Sequence, residues 1–219
     1  GVDASKFAIE TTNNAPAVKD AVLKVALVKD SPLVGIFYTN IGQGDGYDGD
    51  LISLFFNNQI FDTDENFEIT DTGLSTLNVD IPNKKATIKI KDGVKWSDGQ
   101  PLVADDIIYT FEVIANKDYT GVRFDDESLK VVGVKEYHEG KADNISGIKK
   151  IDNNTVEISF NEIGQGIYTI GNGLIGSVLP KHYLQDIPIK DLEKSEKVRS
   201  KVLTLGAYTI VSNVQGESL

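Results

Sequence analysis

Apolar and polar residues alternate along several stretches of the chain, and this period of two predicts strands with one buried face. The pattern predicts a strand over 23–28 and a hairpin within 67–91, whose turn is the PNKK segment. It also predicts strands over 147–151 and 156–160, joined by an Asp-Asn-Asn turn, and a last strand over 207–212. The apolar positions that alternate on the first strand of the 67–91 hairpin are Leu77, Val79 and Ile81.

A helical period is clearest over 104–116. One apolar stripe runs along this segment and is formed by Ile107, Ile108, Phe111, Ile114 and Ala115. Asp105 and Asp106 fall in its first turn, where the positive end of the helix dipole favours carboxylates. A second helix is predicted over 126–139, with Leu129 on its apolar side and Gly140 at its end.

Shorter helical turns are expected at LISLFF, residues 51–56, and at PKHYL, residues 180–184. The charged stretch that follows places Glu193 and Lys197 four residues apart, the spacing of an ion pair on one helix. Residues 1–21 show little periodicity and are interpreted as a flexible lead-in.

Composition excludes several classes of protein. The 219 residues carry 33 acidic and 22 basic side chains, a net charge of −11, which repels phosphate backbones; nucleic acid is therefore not an expected partner. The absence of cysteine excludes disulfides and thiolate metal sites. No apolar run approaches the roughly 18 to 20 residues of a membrane-spanning helix.

Two motifs resemble ligand sites but lack defining residues. The GNGLIG segment, residues 171–176, has dinucleotide-type glycine spacing, but Pro180 follows too soon for the helix that such a site needs. Asp62, Asp64 and Asn66 are spaced like calcium ligands, but Phe67 stands where the loop needs glycine. The sequence therefore predicts neither a cofactor nor a metal.

Enzymatic chemistry has no clear anchor in the sequence. His138 and His182 are the two histidines, and their polar surroundings favour surface positions. The nucleophile-elbow, zinc-protease and phosphate-loop motifs are absent, and no pair of carboxylates stands out from the others. Trp96, the single tryptophan, is predicted to pack beneath the hairpin between two Asp-Gly turns.

The segment KDGVKWSDGQPLVADDIIYTFE, residues 91–112, resembles the signature of the family 5 extracellular solute-binding proteins, the oligopeptide-binding receptors of ABC importers. Three later blocks, GIKKIDNNTVEISF, VLPKHYL and LGAYTIVSNVQGESL, are similar to the family in order and spacing. The resemblance covers about residues 22–219, and YHEGKADNISGIK is similar to receptors of Gram-positive bacteria. One departure is Val103, where the family usually has a Thr or Asn that caps the helix; its loss should cost about 1 kcal/mol.

The resemblance implies an α/β fold of the periplasmic-binding-protein type, type II and two-lobed, of which this chain forms lobe one with an inserted α+β subdomain. Residues 22–45 and 170–219 would be the ligand-facing part of lobe one, and 46–169 the insert. The second lobe would be absent from the chain. In such receptors a peptide lies between two closing lobes, with its backbone paired like an added strand.

Aligning LISLFF with the family places Gly46, Tyr47 and Asp48 at a loop lining the cleft, and Tyr119 near a position from which the insert reaches the ligand. The resemblance implies a non-enzymatic, monomeric receptor without a cofactor, which delivers peptides to an ABC permease. It would lie outside the cell, lipid-anchored in a Gram-positive membrane or periplasmic. Another solute, such as an oligosaccharide, metal chelate or signalling peptide, is the alternative, as is a surface adhesin or sensor.

Overall fold

A computed structural model describes residues 16, 19, 33–42, 48–49, 51–52, 58–164, 177–206 and 209–210. The chain divides into two compact units, Gly1–Asp30 and Ser31–Leu219, and the elements below belong to the second. The strand predicted over 23–28 and the GNGLIG segment lie outside the described residues, as does most of the strand predicted over 207–212. In the predicted LISLFF helix, Leu51 and Ile52 are helical and the remaining residues are not described.

Four antiparallel strands of the described residues form one sheet in the order β1-β2-β4-β3. They are β1 Ser75–Asp80, β2 Lys85–Ile90, β3 Ile148–Asp152 and β4 Thr155–Ser159. Both predicted hairpins are thereby confirmed, and Leu77 lies opposite Ile88 in the first. The central pairing of β2 with β4 joins the two hairpins into a single sheet.

The prediction that Ile81 continues the buried row of β1 is wrong. The strand ends at Asp80, and the side chain of Ile81 is 56% exposed. The turn closes at Ile81, because its carbonyl accepts a hydrogen bond from the Lys84 amide over 3.1 Å. The Asp80 carboxylate accepts two more bonds, from the backbone amide and the side-chain amide of Asn83. The strand therefore ends at Asp80, one residue before the apolar–polar alternation of the sequence ends at Ile81.

The predicted helix over 104–116 is confirmed as α1, Ala104–Ala115. Its apolar stripe packs on the sheet in one core cluster, which includes Ile88, Ile90, Trp96, Ile107, Phe111, Val156 and Ile158. Burying each such side chain contributes about 1.5–3 kcal/mol. Val103 occupies the N-cap without a side-chain acceptor, and the Asp106 carboxylate instead accepts a hydrogen bond from the Val103 amide.

The single helix predicted over 126–139 is wrong. Two short helices stand there, α2 Asp126–Leu129 and α3 Val134–His138. Between them the chain pairs with the end of β4, where the Val132 amide donates to the Ser159 carbonyl over 2.9 Å. Gly133 then turns the backbone at a φ of +86°, which favours glycine. Gly140 follows α3 at a φ of +73°, as predicted for a helix end.

Short helical segments complete the described fold. They are α4 Lys181–Leu184, a 3-10 helix over Ile189–Lys194, and α5 Glu196–Arg199. The predicted pairing of Glu193 with Lys197 on one helix is wrong, because Ser195 separates the 3-10 helix from α5. The Lys197 ammonium instead donates to the Tyr183 carbonyl over 2.9 Å and lies 4.4 Å from the centre of the Tyr183 ring. Within the described ranges, no helix has the length and apolar character needed to cross a membrane.

Candidate functional site

The 33–42 segment precedes the residues at which ligand contacts are predicted, and Asp48 fixes the beginning of this segment. One carboxylate oxygen of Asp48 accepts from the Val34 amide and the other from the Gly35 amide, each over 3.0 Å. The side chain is 0% exposed, and Asp48 is itself helical. Bonds from backbone N–H groups to a carboxylate are among the stronger protein hydrogen bonds, so Asp48 sets the backbone direction at Val34.

The α5 helix binds the same segment through Arg199. Its Nη1 donates to the Val34 carbonyl over 2.9 Å, and its Nε donates to the Glu193 carbonyl over 2.7 Å. The Phe37 amide also donates to the Val198 carbonyl, over 3.2 Å. The 33–42 segment is therefore bound to the region near residue 200 by backbone and side chain together.

Tyr38 adds a buried bond to the chain beyond α5. Its hydroxyl donates to the Leu203 carbonyl over 3.0 Å and accepts from the Leu203 amide over 3.1 Å. Desolvation by burial raises the pKa of Tyr38 well above its ordinary value of 10.0. The hydroxyl is therefore protonated and remains a donor at physiological pH.

The end of the segment is held by Ser177. The Asn40 side-chain amide donates to the Ser177 carbonyl over 2.8 Å, and the Thr39 hydroxyl donates to the Ser177 hydroxyl over 3.0 Å. The Ile41 amide bonds back to the Tyr38 carbonyl, and Gly42 follows at a φ of +64°. Residues far apart in sequence thus fix this turn.

Tyr119 contacts the same turn from the segment after α1. Its hydroxyl donates to the Asn40 carbonyl over 2.5 Å. Arg123 adds a longer bond of 3.5 Å from its Nε to the Thr39 carbonyl. Desolvation by burial raises the pKa of Tyr119 to about 12.

A cavity of about 190 Å³ lies beside the segment. Its lining includes Phe37, Thr39, Ile52, Asn58 and Ser177. Apolar side chains and hydroxyl or amide groups both contribute to this lining, which is typical of ligand pockets. Its volume falls below the roughly 300–1,000 Å³ of a whole small-molecule site.

The WSDG turn of the signature connects the sheet and α1 to the region around the site. The Ser97 amide donates to the Thr204 carbonyl over 2.8 Å, and the Thr204 amide donates to the Ser97 hydroxyl over 3.1 Å. Asp98 bonds Nε2 of His182 over 2.7 Å. Trp96 is buried as predicted, and its indole bonds Asp106. The signature therefore joins distant segments of the fold.

The predicted ligand residues divide into two groups. Gly46 and Tyr47 lie outside the described residues. Asp48 and Tyr119 both bond the 33–42 segment, although 71 positions separate them, so the structure brings these two to one segment. Ligand contact by any of the four stays a prediction.

Sequence reasoning missed the contributions of Arg199, Asn40 and Ser177, because each depends on a partner more than 130 positions away. The sequence around a polar residue does not show that the residue will be buried or which distant residue it will bond. Among the described residues, no group of three or more His, Cys, Asp or Glu side chains is arranged to hold a metal ion. The Asp64 carboxylate, at the calcium-like spacing, accepts from the Asn66 and Glu68 amides.

Solved structures share this architecture. Lactococcal OppA, complexed with an endogenous peptide in the closed conformation, is 33% identical with a TM-score of 0.79, over 85% of this chain and 35% of that one. AppA from Bacillus subtilis, in complex with a nonapeptide, is 24% identical with a TM-score of 0.67, over 87% of this chain and 34% of that one. The described residues therefore form part of a type II periplasmic-binding-protein-like α/β domain, as predicted.

The family model for bacterial extracellular solute-binding proteins, family 5 Middle, matches residues 74–219. The chain belongs to this family, which confirms the resemblance of the signature. The oligopeptide-binding protein OppA of Lactococcus lactis subsp. cremoris strain SK11 is 37% identical over 187 residues. That match covers 84% of this chain and 30% of the relative, so the chain spans less than a third of the relative's length.

Proposed function

We propose that the complete protein is the substrate-binding component of an ABC transporter, which captures oligopeptides outside the cell and delivers them to a membrane permease. The observation that carries this proposal is the likeness to lactococcal OppA, a protein solved with a bound peptide, over 85% of the chain. The solute-binding family supports a binding role without catalysis and without a cofactor. The ligand would leave chemically unchanged.

The 33–42 segment supplies a physical basis for binding many sequences. Bonds from Val34 to Asp48 and Arg199, and the bond of the segment's own Tyr38 to Leu203, hold its backbone in place. Ile36, Phe37 and Tyr38 are at most 1% exposed, so this segment acts as a rigid support, and the main-chain pairing of an extended peptide is proposed to take place beside it at little ordering cost. Since all peptides share main-chain amides, this mode of recognition tolerates different side chains.

The lobe assignment is part of the same proposal. Residues 22–45 and 170–219 form the ligand-facing part of lobe one, and 46–169 form the insert. The bonds of Asn40 to Ser177 and of Tyr38 to Leu203 support it, because they join the two stretches assigned to the ligand-facing part. The cavity beside Thr39 is proposed to accommodate one side chain of the peptide. Ligand contact by Gly46 and Tyr47 is part of the same proposal and rests on the family resemblance alone.

The proposed location is the outer face of the cell membrane, through a lipid anchor, or the periplasm. The family of extracellular solute-binding proteins supports an external location. The net charge of −11 is unfavourable for nucleic acid, which is not proposed as a partner. The protein is proposed to act as a monomer beside its permease.

Native mass spectrometry of the complete protein, purified under mild conditions, tests the proposal. The expected result is a ladder of bound masses that fragment as peptides. The variant Asp48→Ala should lose the ladder, whereas Asp92→Ala, an exposed residue at a turn, should keep it. A single sugar or metal-chelate mass would indicate that the solute is not a peptide. If the protein neither retains a peptide on purification nor binds an added one, a role as an adhesin or sensor would be favoured. Turnover of an added glycan or peptide would contradict the non-enzymatic role.

A further inference from the structure

The bond between Tyr119 and Asn40 connects the segment after α1 with the turn beside the cavity. The Tyr119 hydroxyl and the Asn40 carbonyl are 2.5 Å apart, although 79 positions separate the two residues. Asn40 is 1% exposed, and its side-chain amide is bonded to Ser177. Both the main chain and the side chain of Asn40 are therefore bound, each by a different part of the fold.

Gly121 provides the space that this bond requires. A Cβ atom at position 121 would lie 2.2 Å from the Tyr119 hydroxyl oxygen and 2.4 Å from the adjacent ring carbon. Carbon and oxygen do not approach so closely without a bond, so any side chain at 121 would displace the phenol. The hydroxyl reaches Asn40 because position 121 has no side chain.

Arg123 reinforces the contact. Its backbone amide donates to the Tyr119 hydroxyl over 3.4 Å, and its Nε donates to the Thr39 carbonyl over 3.5 Å. Both bonds are long, and the 2.5 Å bond from Tyr119 is the shorter contact. Residues 119–123 thus approach two successive carbonyls of the turn, at Thr39 and Asn40.

We infer that Tyr119 is a positioning residue for ligand binding, which holds the Thr39–Asn40 turn in place from the insert with Gly121 as its required neighbour. The inference rests on the proposed function and deepens it. Thr39 lines the cavity of about 190 Å³, so movement of this turn changes the wall that a peptide side chain would meet. A turn ordered in advance lowers the ordering cost of binding.

The ionisation of Tyr119 is compatible with this role. Desolvation by burial raises its pKa to about 12, and the Arg123 backbone bond opposes that rise. The phenol therefore remains a donor across the physiological range of pH. Asp125 and Arg123 are the charged groups that also influence it.

The test compares three variants of the complete protein. Tyr119→Phe removes the hydroxyl and keeps the ring, whereas Gly121→Ala keeps the hydroxyl and displaces it. Tyr137→Phe is the matched control, because it removes a tyrosine hydroxyl elsewhere in the proposed insert. Calorimetry with one defined peptide, at a temperature well below unfolding, measures affinity. Amide hydrogen exchange over residues 38–42 measures the order of the turn without ligand.

Tyr119→Phe should weaken binding roughly twofold to tenfold, because without this bond the turn must be ordered when the peptide binds. Gly121→Ala should weaken binding by at least as much, and both variants should speed exchange over 38–42, whereas Tyr137→Phe should do neither. A purely structural role would lower the thermal midpoint without changing affinity or exchange in the turn, and would overturn the inference. If the wild-type protein binds no peptide, the proposed function fails; if it binds and the variants bind equally well, the positioning role alone fails.

Discussion

The Trp96 indole donates a hydrogen bond to the Asp106 carboxylate over 3.1 Å, and both side chains are buried. The same oxygen of Asp106 accepts from the Val103 amide, and the other oxygen accepts from the Lys181 amide over 2.9 Å. Desolvation by burial raises the pKa of Asp106, although the three donors oppose that rise. One carboxylate therefore joins the signature turn, the start of α1 and the start of α4.

Replacing Asp106 should strongly destabilise the fold. Asp106→Ala leaves three donors near the core without their acceptor, which should lower the free energy of unfolding by about 2–4 kcal/mol. Its neighbour provides the control, because Asp105 is partly exposed and pairs with Lys150 over 2.8 Å. Asp105→Ala should cost at most about 1 kcal/mol. Urea unfolding of the two variants measures both values, and equal losses would contradict the joining role of Asp106.

Gly133 is a second position with a sharp expectation. Its φ is +86°, and a Cβ atom there would lie 2.4 Å from the Ser146 hydroxyl oxygen and 2.7 Å from the Ser146 amide nitrogen. Gly133→Ala should therefore lower the free energy of unfolding by about 1–3 kcal/mol. Gly140 also has a positive φ, +73°, but open space around its Cβ position. Gly140→Ala should cost less, and thermal melts that rank the pair in reverse would show that crowding at Ser146 is unimportant.

The sequence predicted those elements whose stability is local. The stripe from Ile107 to Ala115 specifies α1, and the alternation at Val156 and Ile158 specifies β4, because each pattern directs its apolar side chains to one core. It failed where a long-range contact overrides the pattern. Residues 126–139 break into two helices because Val132 pairs with Ser159.

The candidate site was less predictable than the fold. Alignment to the family indicated Asp48 and Tyr119 as residues of interest, but nothing local indicates that Asp48 bonds Val34 and Gly35 or that Tyr119 bonds Asn40. Such bonds depend on how distant segments meet. Arg199 had no signal of its own for the same reason, since its partner Val34 is 165 positions away.

Alkaline pH should destabilise the protein through its buried tyrosines. Burial raises the pKa of Tyr109 and Tyr119 to about 12, from an ordinary value of 10.0. The folded state then holds these protons more tightly than the unfolded state. The stabilisation that the two protonated tyrosines contribute is therefore complete below pH 10.0 and is lost as the pH rises towards about 12. Urea midpoints across this window should fall, and Tyr119→Phe should fall less steeply. A urea midpoint that rises in this window would contradict the burial of the Tyr109 and Tyr119 side chains in the folded protein.

Asp48 should control both local order and affinity. Asp48→Asn keeps one acceptor oxygen but turns an amide N–H towards one of the Val34 and Gly35 amides, so about tenfold weaker peptide binding is expected in the complete protein. Asp92→Asn makes the same chemical change at an exposed turn and should bind normally. Calorimetric titration of both variants measures the difference. Unchanged affinity of the Asp48→Asn variant would show that the bonds of Asp48 to Val34 and Gly35 do not affect ligand binding.

The most direct measurement compares peptides with altered main chains. Calorimetry on the complete protein would use one reference peptide, peptides of equal length with different side chains, and the reference peptide methylated at successive backbone nitrogens. Main-chain recognition predicts similar affinities across side-chain sequences and a severe loss for backbone methylation at the paired positions, because methylation removes main-chain donors. Full affinity for every methylated peptide, with strong dependence on side chains, would contradict main-chain recognition.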